Sequence, residues 1–203
     1  MSVPNSDSTP VPVAPVPGGF LKAGITLRDG RKVTIRAIRE EDTDALQAAF
    51  AHLSREARYT RFMAPLERLT PAMLDRAVHP GERELALVAV AGEGAGEVIV
   101  AGARHVRTAS EGVCEFAVTV GDDWQGVGLA SRLLEELIGG AAARGLVRME
   151  GYVLATNRAM LGLARRLGFE EAQSDEGPSV RLVRLDLARA VRPDRGRQFR
   201  DAS

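Results

Sequence analysis

The stretch Trp124-Gln125-Gly126-Val127-Gly128-Leu129-Ala130 joins an apolar, strand-like run to a long amphipathic one. Glycine at 126 and 128 permits a tight turn and keeps Cβ atoms away from anything bound there. The residues that follow open a helix, whose first turn leaves N–H groups unpaired and carries the positive end of the dipole. Together these features describe a pocket for an anion, foremost a pyrophosphate.

Upstream of the turn, Val113 to Val120 alternates as a strand. Downstream, a helix is expected to bury Leu129, Leu133, Leu134, Leu137, Ile138 and Ala141 while Arg132, Glu135 and Glu136 face outward. Val147 to Leu154 reads as the strand that returns beside its predecessor through a right-handed crossover. A second helix runs from Asn157 through Met160, Leu161, Ala164 and Leu167 and stops at Gly168, with Phe169 beyond it. Val180 to Leu187 supplies a last strand.

Nearer the N-terminus, Val33 to Ile38 reads as the first strand. Glu40, Glu41 and Asp42 sit in the first turn of a helix, where they complement its dipole; Leu46, Ala49, Phe50 and Leu53 continue it. Thr70-Pro71 is an N-cap followed by proline at the first helical position, opening a short helix. Leu85 to Ala91 and Val98 to Val106 form a hairpin joined by a long loop containing Gly92, Gly94 and Gly96. The order predicts a mixed α/β sheet in a single domain.

That domain is expected to span 25–188. Residues 1–24 form a Pro-rich tail, read as disordered, and 189–203 an Arg-rich one, read as a solvated tail or a docking arm for an acidic partner. Lys+Arg and Asp+Glu both number 27, so no global field recruits nucleic acid or an anionic membrane. No segment approaches the roughly 18 apolar residues that span a bilayer, and no secretory signal opens the chain. The single cysteine, Cys114, has no internal partner, which fits a reducing cytoplasm. His52, His79 and His105 are scattered, and no metal is expected.

At these residues the chain resembles the GNAT superfamily of acyl-CoA-dependent N-acyltransferases. That family's pyrophosphate motif (Gln or Arg, two residues, Gly, one residue, Gly or Ala) reads here Gln125-Gly126-Val127-Gly128-Leu129-Ala130. Its second signature, an Asn that starts a helix ending in Gly-Phe, runs from Asn157 to Gly168-Phe169. The resemblance covers about Leu27 to Leu187. Within the superfamily the chain is most similar to the acetyltransferase domain of bacterial protein lysine acetyltransferases, through Leu53-Ser54-Arg55-Glu56-Ala57-Arg58-Tyr59-Thr60-Arg61-Phe62 and Glu115-Phe116-Ala117-Val118-Thr119-Val120. The nucleotide-binding or synthetase domains often fused to such enzymes are not expected in a chain of this length.

The resemblance implies a mostly antiparallel α+β sheet with a central splayed parallel pair flanked by helices. It implies acetyl-CoA as co-substrate, held by backbone groups of Val118 and Val120 and by the amides from Gly126 through Val127, Gly128 and Leu129 to Ala130. Gln125 would set the geometry of the turn or contact phosphate. Asn157 is an N-cap on its own terms, and a cofactor contact by resemblance. The acceptor is an amine, by resemblance a protein lysine, with small amines as the alternative.

Attack on a thioester requires a neutral amine. A lysine with pKa near 10.4 is about 4–5 kcal/mol from that state at pH 7. A positioned base removing the proton contributes about 10²–10⁴-fold. Glu115 shares a strand face with Val113, Ala117 and Thr119, while Cys114, Phe116, Val118 and Val120 face the other way. A mid-strand carboxylate beside small side chains is a candidate base, and it matches the glutamate of the protein lysine acetyltransferases. The plain alternative is a surface or salt-bridged glutamate.

Where many members carry a tyrosine acid on the last helix, this chain has Ala164; water and backbone dipoles then assist the leaving thiolate, or Tyr152 substitutes. Cys114 lies on the apolar face and reads as structural. Two rivals remain: a dinucleotide-binding turn, which lacks glycine or alanine at Ser131 and sits too late in the chain, and an acyl-CoA sensor without turnover.

Overall fold

The computed structural model describes residues 23–190. The fold begins with the hairpin of Ala23–Thr26 (β1) and Lys32–Ala37 (β2), which is followed by a 3-10 turn at Glu40–Asp42 and helices Thr43–Ala51 (α1), Arg55–Phe62 (α2) and Pro71–Val78 (α3). Then come strands Glu84–Ala91 (β3), Val98–Arg107 (β4) and Val113–Val120 (β5), helix Leu129–Ala143 (α4), strand Arg148–Leu154 (β6), helix Arg158–Arg166 (α5), strands Glu170–Gln173 (β7) and Val180–Asp186 (β8), and the short helix Leu187–Ala190 (α6).

One eight-stranded sheet results, in the order β1-β2-β3-β4-β5-β6-β8-β7. Every neighbouring pair is antiparallel except β5–β6, which is parallel. This is a single α+β fold of mixed, mostly antiparallel pairing.

Strand β3 sits inside the sheet with both faces covered, which is why it is apolar without alternation. Leu85, Leu87 and Ala89 join the main core with α4 and α5, whereas Val88 and Val90 pack under α1. A bulge between Ala89 and Val90 shifts the pairing with β4. On α4 the buried set is Leu129, Leu133, Leu134, Leu137, Ile138 and Ala141, the stripe expected from the 3.6-residue period.

Three elements were not anticipated. Strand β1 is four residues long, so Val33 to Ile38 contains the second strand rather than the first. Helix α2 buries no residue and β7 exposes three of its four, so neither carries an apolar period to read. The final strand ends at Asp186, and Leu187 begins α6.

Asp42 also differs from the expectation. The acidic trio forms a 3-10 turn ahead of α1, and Asp42 is buried. It accepts from Arg36 Nη1 and Nη2 at 2.7 and 2.8 Å and from the Arg39 N–H at 2.8 Å. A bidentate partner, more than a helix dipole, explains its position. Ala23 and Gly24 of the expected tail 1–24 belong to β1, and Arg189 and Ala190 of the expected tail 189–203 belong to α6; the rest of both tails lies outside the described residues. No helix among these is long and apolar enough to cross a membrane.

Candidate active site

The chain leaves β5 through a 3-10 turn at Asp122–Trp124 and enters the glycine turn. Gly126 has φ +75° and Gly128, the N-cap of α4, has φ +94°, left-handed values that favour glycine. No side chain caps α4. The opening amides of a 15-residue helix therefore stay free beside Leu129 and Ala130, as an anion requires. Gln125 Nε2 lies 3.4 Å from the Val120 carbonyl, so here its side chain ties the turn back to the strand.

Strands β5 and β6 pair only at Val113↔Arg148, Cys114↔Met149 and Glu115↔Glu150. Beyond Glu115 they part, although β5 remains paired to β4 through Val120 and β6 to β8 through Leu154. At the ends of the β4–β5 ladder the Thr108 N–H donates to the Val113 carbonyl and the Gly121 N–H to the Val100 carbonyl. In an antiparallel ladder this turns the odd-numbered peptide groups of β5 towards β4. The Phe116 carbonyl and the groups of Val118 and Val120 consequently face the gap, where no strand pairs with them. An extended ligand chain with amide groups fits such an edge.

Phe116 lies in the gap. A Cβ built on Gly151 would stand 2.7 Å from its Cζ and 3.0 Å from its Cδ1. The ring thus occupies the space of a missing side chain on β6. It also meets Phe169 at 5.2 Å between ring centroids, tilted by 60°. Sequence reasoning found the Gly168-Phe169 ending but not this contact or Gly151.

Glu115 ends the parallel pairing, with an exposed side chain on the face it shares with Ala117 and Thr119. Partial loss of hydration pushes its pKa above the usual glutamate value; Arg61 on α2 opposes the rise, and Glu150 adds to it. Glu150 is itself balanced, since its Oε1 accepts from Arg148 Nε at 2.9 Å and Arg184 Nε at 3.0 Å. Burial and the neighbouring Arg104 lower the Arg61 pKa, and Glu115 opposes them. A cavity of about 940 Å³ opens on this face, lined by Arg61, Arg104, Ala117 and Thr119 among others.

Tyr152 is on β6, two residues beyond Glu150 and so on the same face, 38% exposed. Dehydration raises its pKa first, followed by Glu115, Glu150, Glu176 and Asp175. Its position is a rim. The acidic pair belongs to the loop between β7 and β8, which therefore reaches the mouth of the site.

Asn157 caps α5, its Oδ1 accepting from the Met160 N–H at 3.0 Å. Ala164 is fully buried, with no hydroxyl to offer a leaving thiolate. Cys114 is fully buried and its thiol is pushed up to about 11, chiefly by burial. His105 is also buried, outside the gap, and its pKa falls to about 4 from burial and then from Arg144 and Arg107. Among the described residues no three His, Cys, Asp or Glu side chains gather as a metal cluster.

Sequence reasoning also missed Asp122. Its carboxylate accepts from the Ser54 N–H at 2.8 Å and the Ser54 hydroxyl at 2.9 Å, tying the start of α2 to the glycine turn. Ser54 is also the N-cap of α2, its hydroxyl accepting from the Ala57 N–H at 3.1 Å.

A sheet opened beside an uncapped helix, with a carboxylate at the fork, is the architecture of an acyl-group transferase. Residues 32–170 match the acetyltransferase (GNAT) domain, and the chain belongs to that family of N-acetyltransferases, which use acyl-CoA and an amine acceptor. It is 37% identical over 160 residues to acetyltransferase PA5475 of Pseudomonas aeruginosa, covering 78% of this chain and 85% of that protein. It is 31% identical over 182 residues to acetyltransferase Pat of Mycolicibacterium smegmatis, covering 88% of this chain but only 54% of that longer protein. The GNAT domain of S. lividans PAT superposes with a TM-score of 0.73 at 30% identity, covering 81% of this chain and 96% of that domain.

Proposed function

We propose that this enzyme transfers an acetyl group from acetyl-CoA to a protein lysine by direct attack, with Glu115 as general base. The observation that carries the reading is the position of Glu115 at the last rung of the parallel pair, on the face that holds the large cavity. Acetyl-CoA supplies the thioester. Peptide groups of Val118 and Val120 pair with its pantetheine, and the amides from Gly126 to Ala130, with Gln125 ordering the turn, hold its pyrophosphate. Asn157 lies at the start of the neighbouring helix, where its amide nitrogen is available to the pantetheine.

Glu115 takes a proton from the acceptor ammonium, directly or through a water, and the neutral amine so formed attacks the thioester. The raised pKa of Glu115 makes it a better proton acceptor than an ordinary glutamate. With Ala164 at the position of the familiar tyrosine, the departing thiolate takes its proton from water or from Tyr152. Glu150, Asp175 and Glu176 around Tyr152 favour approach of a cation such as lysine. Likeness to Pat over most of this chain supports a protein acceptor, and the unpaired Cys114 supports the cytoplasm as the compartment.

A second reading, acetylation of a small amine that bears a carboxylate, is favoured by Arg61. Its guanidinium lies against the Phe62 ring at 4.8 Å and lines the cavity. One experiment separates the two. The wild-type enzyme and Glu115→Gln are given labelled acetyl-CoA with lysine-containing proteins or with a panel of free amino acids. Label on protein lysines, lost about 10²–10⁴-fold in the variant while acetyl-CoA affinity stays level, supports the proposal. Label on amino acids alone refutes the lysine reading, and an undiminished variant refutes Glu115 as the base.

A further inference from the structure

The turn between β1 and β2 closes onto the glycine turn from the far end of the sheet. The Arg28 N–H donates to the Val127 carbonyl at 3.3 Å. Arg31 Nη2 donates to the Asp123 carbonyl at 2.8 Å, and its guanidinium lies 3.9 Å from the centre of the Trp124 ring. The charge of Arg31 is already matched, since its Nε meets Asp29 Oδ2 at 2.6 Å. Arg31 therefore acts as a latch between the two turns.

Arg28 is different. Its side chain runs over Gly128, where a Cβ would find Arg28 Nε at 3.5 Å and Cγ and Cδ at 3.8 Å. The arginine stem lies alongside the glycine at ordinary van der Waals distance. Among the described residues its guanidinium has no hydrogen-bond or ion-pair partner. Asp29 is committed to Arg31, and Asp122 to Ser54. A backbone-anchored arginine with an unmatched charge, lying on the glycine that caps α4, is placed to meet an anion held by that helix.

We propose that Arg28 is a phosphate-binding residue of the acyl-CoA site, engaging the pyrophosphate as a side-chain clamp over the backbone amides of the turn. The inference rests on the cofactor reading above.

The test is calorimetric titration of the full-length protein with CoA and with 3′-dephospho-CoA, at two salt concentrations. For the exposed Arg28, Arg28→Ala weakens both ligands equally, by about five- to tenfold, with unchanged thermal melting. Arg28→Lys restores most of the loss, and the alanine variant depends less steeply on salt than wild type. Equal CoA affinity in Arg28→Ala and wild type overturns the proposal. A loss seen with CoA but absent with 3′-dephospho-CoA also overturns it, because the charge then serves the ribose phosphate. A wild-type protein that binds neither ligand overturns the cofactor reading itself.

Discussion

Replacing Gly151 by alanine puts a methyl group where the Phe116 ring lies. The new carbon would sit 2.7 Å from Cζ, 3.0 Å from Cδ1 and closer still to Cε1. Carbon atoms settle at about 3.5–4.0 Å, so the ring must retreat by roughly 1 Å. It has little room: Phe116 is buried, and Phe169, 5.2 Å away between centroids, is 3% exposed. Overpacking of this kind costs about 1–3 kcal/mol. For a domain of this size that lowers Tm by roughly 2–4 °C per kcal/mol, or about 2–12 °C altogether. Because the ring lies where β5 and β6 part, its displacement also disturbs the peptide groups of Val118 and Val120 that no strand pairs with. Calorimetric melting gives the first quantity and titration with CoA the second. Both are expected to worsen, and Gly151→Ala combined with Phe116→Leu is expected to regain stability without full affinity. A single variant as stable and as tight-binding as wild type would refute the reasoning that the Phe116 ring has no room to retreat from Gly151.

Other outcomes follow from the electrostatics and the packing. A base must be ionised to act, so kcat/KM climbs with pH through a midpoint above that of an ordinary glutamate. Arg61 favours the carboxylate, so Arg61→Ala moves the midpoint further up; a downward or absent shift in the pH–rate profile would contradict the assignment. Asp42→Asn leaves buried Arg36 poorly matched and costs about 3–5 kcal/mol in denaturant melts. Burial alone would raise the Asp42 pKa, but Arg36 and the Arg39 N–H hold it below the usual value. The stabilisation is therefore complete above the unfolded aspartate pKa and fades as pH falls through the lowered one. Native Cys114 resists alkylation and labels only on unfolding, because burial holds the thiol in its protonated form.

The glycine turn, the buried stripe of α4, strand β5 and the capped helix from Asn157 were all legible, because each advertises itself in local spacing. Asp42 shows the limit of such reading. Its place before a helix suggested a dipole interaction, whereas burial against Arg36 sets its role. Helix α2 left no trace in apolar periodicity because it buries nothing, yet it brings Arg61 to the site.

Local spacing alone shows which residues of α4, β5 and α5 face inward and where the glycine turn falls, since side-chain period and glycine conformation are properties of the local backbone. Only the tertiary structure decided the partners. Glu150 stands across from Glu115 because β6 docks beside β5 and then leaves it. Phe116 meets Gly151 because those strands part after three rungs. Arg31 reaches Asp123 across 92 residues of chain because the first hairpin returns to the glycine turn. Periodicity fixes the face a side chain takes, but strand order and register choose the neighbour it finds there.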